Sequence, residues 1–205
     1  MPSMVDERLR ACLAGLAGGE TERAEAAALE LIAAAQREPV EIKETILAAL
    51  HRRLVKDSGA EARWWAVRTL AEIHDPCVPE WLSRALDDPD AGVRQCAALA
   101  LRLQPDPAAV PALIDRLEGP DRMLARLCAG ALSALGAPAV PALLEAMENG
   151  PQAARLEAVR ALAEIGDHRS IPALFHALDD DSALIEYWAE KGLQDMGVGM
   201  VFFKP

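Results

Sequence analysis

Ala158–Asp167 reads AVRALAEIGD, and 92 residues upstream Ala66–Asp75 reads AVRTLAEIHD, identical at eight of ten positions. Weaker copies lie between and beyond: AALALRLQPD from Ala97, which slips at Gln104 and Pro105, CAGALSALGA from Cys128, and AEKGLQDMGV from Ala189. The small residues that open them, Ala66, Ala97, Cys128, Ala158 and Ala189, follow at steps of 31, 31, 30 and 31. A fixed period of this length marks a solenoid, in which no unit buries its apolar face alone and each stacks on its neighbours. Within a copy the apolar positions recur at helical spacing and a glycine such as Gly166 provides the stop. A second helix then opens with Val78-Pro79, Val110-Pro111, Val140-Pro141 or Ile171-Pro172. Proline costs no hydrogen bond in a first turn, so the four dipeptides mark four helix starts.

Working outward, the N-terminal third is less regular. Val5–Leu16 reads as a helix ended by Gly18-Gly19. Thr21 is placed to cap a second, Glu22–Gln36, with Ala26, Leu29, Ile32 and Ala33 on its buried face. Pro39 opens a third, to Lys56, with Ile42, Ile46, Ala49, Leu50 and Leu54 inward. These helices form a degenerate repeat, because the step from Ala26 to Ala66 is 40. The expected organisation is one domain: capping helices over 1–57, five repeats over 58–197 with the last one half a repeat, and an apolar tail over 198–205. Met200, Val201, Phe202 and Phe203 are expected to fold back over the last helices or to pair with a second copy. The fold class is all-α: a right-handed α-α superhelix of about twelve helices, with no alternating run that would make a strand.

The V-R-x-x-A-x-x-A-L-x-x-I-G pattern, with arginine at Arg63, Arg94 and Arg155 and V-P-A-L openings, resembles the short HEAT repeats of the phycobilin lyase family. The resemblance covers about residues 58–197. It implies an arginine ladder reaching the acidic turns, interrupted where Ala125 and Glu186 replace arginine. It also implies a scaffold with a concave binding surface, or alternatively a subunit of bilin lyase type. HEAT-like hydroxylases with two irons carry His-Glu dipeptides, and this chain has none. HEAT-like DNA glycosylases use Trp and Asp in a basic cleft. Trp64, Trp65 and Trp81 invite that comparison, whereas the charge opposes it.

The chain carries 32 acidic and 21 basic residues, a net −11, and 22 against 13 of them lie from residue 60 onward. Such a surface repels phosphate backbones and anionic lipids, so neither nucleic acid nor membrane is the expected partner. No apolar run approaches the ~18 residues of a membrane helix, and nothing near the N-terminus resembles a signal peptide; a cytoplasmic protein, monomeric or weakly dimeric, is expected. Cys12, Cys77, Cys96 and Cys128 form no close pair, and Cys128 fills a small-residue slot as a buried hydrophobe does. The acidic clusters DDPD (Asp87–Asp90) and DDDS (Asp179–Ser182) read as helix caps, since they lack the alternate ligands and glycine turn of a calcium loop. His74 and His168 fall in solvated turns.

No Ser-His-Asp arrangement, phosphate loop or metal-spaced cluster is visible. The expectation is therefore non-catalytic, without cofactor or metal, and the partner a protein or peptide. Its site would lie on the second helices, at Glu80 and Arg84, Asp115 and Arg116, Glu145 and His176. Trp64 and Trp65 are candidate anchors if exposed; the alternative is that they pack on the N-terminal helices. Trp65 aligns with Cys96, Leu127, Glu157 and Trp188, a mixed column expected to be at most half-buried.

Overall fold

A computed structural model describes residues 4–16, 20–56 and 59–198. Gly18-Gly19 and the apolar Met200–Phe203 lie outside the described residues. Among those described there are twelve α-helices and no strand. The chain divides into two compact units, Met1–Gln104 and Pro105–Pro205.

The first unit holds α1 (Met4–Gly15), α2 (Thr21–Arg37), α3 (Val40–Lys56), α4 (Ala60–Leu70), α5 (Val78–Ala85) and α6 (Ala91–Leu103). The second holds α7 (Val110–Leu117), α8 (Arg122–Leu135), α9 (Val140–Asn149), α10 (Gln152–Ile165), α11 (Ile171–Ala177) and α12 (Ala183–Asp195). Each of α5, α7, α9 and α11 begins at the Val or Ile of its V-P or I-P dipeptide. Short 3-10 turns at Pro107–Ala109, Ala137–Ala139 and His168–Ser170 lead into the last three.

Helices pair differently from their order in the repeat. A first helix scarcely touches the second helix that follows it; α5 packs on α6, α7 on α8, α9 on α10 and α11 on α12. First helices also stack on one another, α4 on α2 and α6 in the first unit, and α10 on α8 and α12 in the second. The N-terminal helices share this plan, with α2 in the first-helix layer and α3 packed on α4 as a second helix would be.

The period has a plain physical origin. Ala66, Ala97, Cys128, Ala158 and Ala189 are all fully buried, and so are Thr69, Ala100, Ala131 and Ala161 three residues on. Two small side chains one turn apart let first helices approach closely, and leucines fill the remaining space. Where a polar atom enters this seam it is satisfied: the Thr69 hydroxyl donates to the Trp65 carbonyl at 2.7 Å.

Gly192 takes the same position in α12, where a Cβ would lie 2.7 Å from Ala163 Cβ and 2.9 Å from Ala163 Cα. Alanine there gains ~1 kcal/mol of helix propensity, but it must push α12 off the α10 backbone, an overpacking cost of ~1–3 kcal/mol. Gly192→Ala is therefore expected to lower Tm by roughly 2–4 °C; a higher Tm in a thermal melt would mean the two helices separate freely.

Several details depart from expectation. Helix α2 starts at Thr21 itself, with Glu20 in the cap position making no side-chain bond. Its buried residues are Ala24, Ala27, Ala28, Leu31 and Ala35, while Ala26 and Leu29 are exposed. Nine alanines and leucines spread round this helix blur its periodicity, so tertiary packing chose the face. Pro39 precedes α3 and accepts bonds from the N–H groups of Ile42 and Lys43. Asp90 caps α6 by accepting from Val93 N at 3.0 Å, and Asp121 caps α8 by accepting from Leu124 N. Ser182 makes no such bond; Asp180 accepts from Ser182 N instead.

Gly136 and Gly166 stop α8 and α10 with φ of 74° and 65°, a region that glycine enters without steric cost. The twin of Gly166 is His74, and α4 ends earlier, at Leu70. Its last carbonyls are taken by Gln104, where the repeat pattern slips: Nε2 lies 2.9 Å from the oxygens of Leu70 and Ala71 and 3.3 Å from that of Ile73.

Candidate functional site

The twin segments carry the same ion pair, each built by a first helix and the acidic turn 25 residues later. Arg63 grips Asp88 bidentately, Nε to Oδ2 at 2.7 Å and Nη2 to Oδ1 at 2.8 Å, with both side chains largely buried. Arg155 pairs with Asp180 in the second unit. Burial alone would raise the Asp88 carboxyl. The Arg63 hydrogen bonds, the Asp90 N–H and the charges of Arg63 and Arg94 outweigh it and hold the group below its ordinary range. The residue 25 on from Arg94 in sequence is Gly119, which carries no carboxylate, and Arg94 donates to the carbonyls of Asp88 and Pro89. With Ala125 and Glu186 at the other two positions, the ladder has rungs in the first and fourth copies.

On the second helices the buried leucines Leu82, Leu113, Leu143 and Leu174 set the register, at steps of 31, 30 and 31. Two residues beyond each stand Arg84, Asp115, Glu145 and His176, and all four are exposed. Alignment on the V-P dipeptides misplaced one of them, because the turn before α5 is built differently and shifts that helix by one residue. Arg84 is thus equivalent to Asp115, and Arg116 falls at the position of Ala85, Ala146 and Ala177, where it is half-buried and paired with Asp115. Glu80 and Arg84 form an exposed ion pair at 2.7 Å along α5.

Two grooves open between second helices. In the second unit a groove of about 480 Å³ lies between α9 and α11, lined by Met147, Arg155, Val159, Ala173, His176 and Asp180 among others. In the first unit its counterpart, between α3 and α5, has about 160 Å³. There Trp81 stacks on His51 with ring centroids 4.3 Å apart and planes inclined by 17°.

The tryptophans of α4 separate. Trp65 is buried, 7% exposed, and cannot anchor a partner; it packs edge-on against Trp64 with centroids 4.9 Å apart. Trp64 is half-buried and lines a third groove, with Leu99 and Leu103 exposed beside it. The column containing Trp65 is more buried than expected, since Cys96 and Glu157 are buried as well.

Glu157 belongs to a charge cluster that sequence reasoning missed. It lies 3.2 Å from Arg160, also buried, which approaches Glu164 at 3.2 Å and sits 5.8 Å over the Trp188 ring. A Glu-x-x-Arg pair inside a repeat motif is the one available signal, and such pairs are commonly surface features.

The thiols are poor nucleophiles: burial pushes Cys96 to about 11 and Cys128 to about 12. Burial, with the adjacent Asp75, raises Cys77 to about 11. His74 and His168 are exposed in their turns. Among the described residues no three or more His, Cys, Asp or Glu side chains are placed to hold a metal ion. No single helix there is long and apolar enough to cross a membrane.

Comparison with known proteins matches this architecture. A family model described as HEAT repeats fits residues 8–102, 47–132 and 110–194, and so includes the N-terminal helices. A search of curated proteins found no match. Among solved structures, the complex of CpcE and CpcF of phycocyanin lyase from Nostoc sp. PCC7120 is similar with TM-score 0.54 and 23% identity, over 92% of this chain and 77% of that one. YibA of Escherichia coli gives 0.57 and 19%, over 95% and 77%. A designed armadillo repeat protein in complex with the peptide (KR)4 gives 0.55 and 16%, over 92% and 99%.

Proposed function

We propose, from the premise that the chain belongs to the HEAT-repeat family, that it is a non-catalytic module binding a partner protein or peptide on its second helices. The observation that carries this reading is the exposed register column. Arg84 in the first unit and Asp115, Glu145 and His176 in the second differ in charge, while the position two residues before each is a buried leucine in every copy. A constant core with a variable exposed column is how repeat proteins separate folding from recognition. The designed armadillo protein seen with a bound peptide supports it by likeness of fold. The proposed setting is the cytoplasm, without cofactor, and with neither nucleic acid nor membrane as partner, given a net charge of −11.

The test is affinity capture from the native cell extract with the wild type and with the triple variant Arg84→Glu, Glu145→Arg, His176→Glu. These side chains are exposed, so the fold should be retained. At least one partner held by the wild type is expected to be lost; equal recovery of every protein would remove the second helices from the account.

A second reading, a subunit of bilin lyase type, has the fold likeness to the phycocyanin lyase complex behind it. It expects new visible absorbance when the chain is mixed with the pigment, and an unchanged spectrum would set it aside.

A further inference from the structure

The two grooves between second helices are the same site built twice, 92 residues apart, and one copy shows what fills it. Arg63 and Asp88 correspond to Arg155 and Asp180, Arg84 to His176, Ala85 to Ala177 and Val55 to Met147. Trp81 corresponds to Ala173. In the first unit the Trp81 indole lies in the groove against His51. In the second unit Ala173 leaves that space open. The groove is three times larger, and Val159 and Ile185, fully buried like their counterparts Val67 and Val93, lie against it beside the more exposed Met147, Pro172 and Ala173. The ion pair and the small residue Ala85 or Ala177 are kept, while the filling ring is gone and Leu143 stands at the position of its partner His51.

We infer that this groove between α9 and α11 binds an aromatic side chain, tryptophan above all, of the partner peptide or protein. This rests on the partner-binding reading above and names what the partner brings. A flat ring fits a slot that a flat ring fills in the twin, and it covers the apolar atoms of Met147, Pro172 and Ala173 that line it. The exposed His176 ring, at the position of Arg84, lines the groove from α11 and offers a flat face to an incoming ring. The carboxylates of Glu148 and Asp180 provide acceptors for an indole N–H. Residues 105–205 carry 15 acidic and 8 basic side chains, a net −7. Basic residues flanking the tryptophan therefore suit the surroundings.

The probe is the peptide acetyl-Lys-Trp-Lys-amide, followed by NMR on the full chain through the Val159 and Ile185 methyl groups and the His176 ring. Saturable shifts at all three are expected, with binding about tenfold weaker when leucine replaces the tryptophan. Ala173→Trp rebuilds the filled groove and should abolish the shifts; Ala173→Phe serves the same purpose if tryptophan compromises the fold. Trp81→Ala opens the first groove and should add saturable shifts at His51. Equal binding of the leucine peptide, no saturable shift in the wild type, or wild-type binding by a folded Ala173→Trp chain would each overturn the inference. Should the peptide fail while the triple variant still loses its captured partner, the aromatic slot falls and the partner-binding reading stands. Saturable peptide binding with unchanged capture would mean the converse.

Discussion

Asp88→Ala is expected to destabilise the first unit by ~3–5 kcal/mol, because it leaves the buried Arg63 guanidinium without its carboxylate. Both side chains are about nine-tenths buried and held bidentately, far from the exposed pairs that contribute little. Replacing the pair by apolar residues, as in Arg63→Met with Asp88→Leu, should restore most of the loss, since a buried ion pair often does no better than a hydrophobic one. The pH dependence has a definite sign. The folded carboxyl titrates below its ordinary range, so its contribution is complete above the unfolded value of ~3.9 and fades as pH falls through the lower folded value. Urea unfolding at pH 7 and at pH 3 measures both effects. A full difference between wild type and Asp88→Ala is expected at pH 7 and a reduced one at pH 3. An unchanged difference, or one below ~1 kcal/mol at pH 7, would show the pair to be ornamental.

The second large effect is expected at Gln104. Helix α4 lacks a glycine stop, and the carboxamide of Gln104 stands in from 31 to 34 residues away in sequence. Its Nε2 carries two hydrogens, so it satisfies two of the three carbonyls at a time. Gln104→Met keeps the length of the side chain and removes both donors. The Leu70 oxygen keeps the Ile73 N–H at 3.0 Å, so at ~1–3 kcal/mol for each of the Ala71 and Ile73 carbonyls that lose the carboxamide, a loss of about 3 kcal/mol is expected in thermal or urea unfolding. Introducing glycine at His74, the position of Gly166 in the twin, should recover part of it. A neutral Gln104→Met would mean that water reaches these carbonyls.

These two sites show where the sequence is transparent and where it is not. The period was legible because each small residue that defines it sits in the seam between first helices, where the space is the same at every step. The V-P starts were legible because proline acts locally. Helix α2 was not, since alanine on every side leaves no stripe to read. The register of α5 was hidden by a turn that shifts the V-P dipeptide one residue relative to Leu82. Gln104 looked like a flaw in the repeat and is a cap for a helix two elements earlier. Of the candidate site, the exposed positions Arg84, Asp115, Glu145 and His176 followed from helical spacing. The burial of Trp65 and the half-burial of Arg116 depend on contacts that spacing does not encode. Nor did spacing reveal that Trp81 fills a groove which Ala173 leaves open, because that comparison needs both units in three dimensions.

The most direct test of partner binding through second helices is hydrogen exchange on the chain alone and with its captured partner. Added protection on α9 and α11, around Met147 and Ala173–Ala177, is the expected result. Protection confined to the first helices, such as the Trp64 face of α4 and α6, with α9 and α11 unchanged, would contradict it.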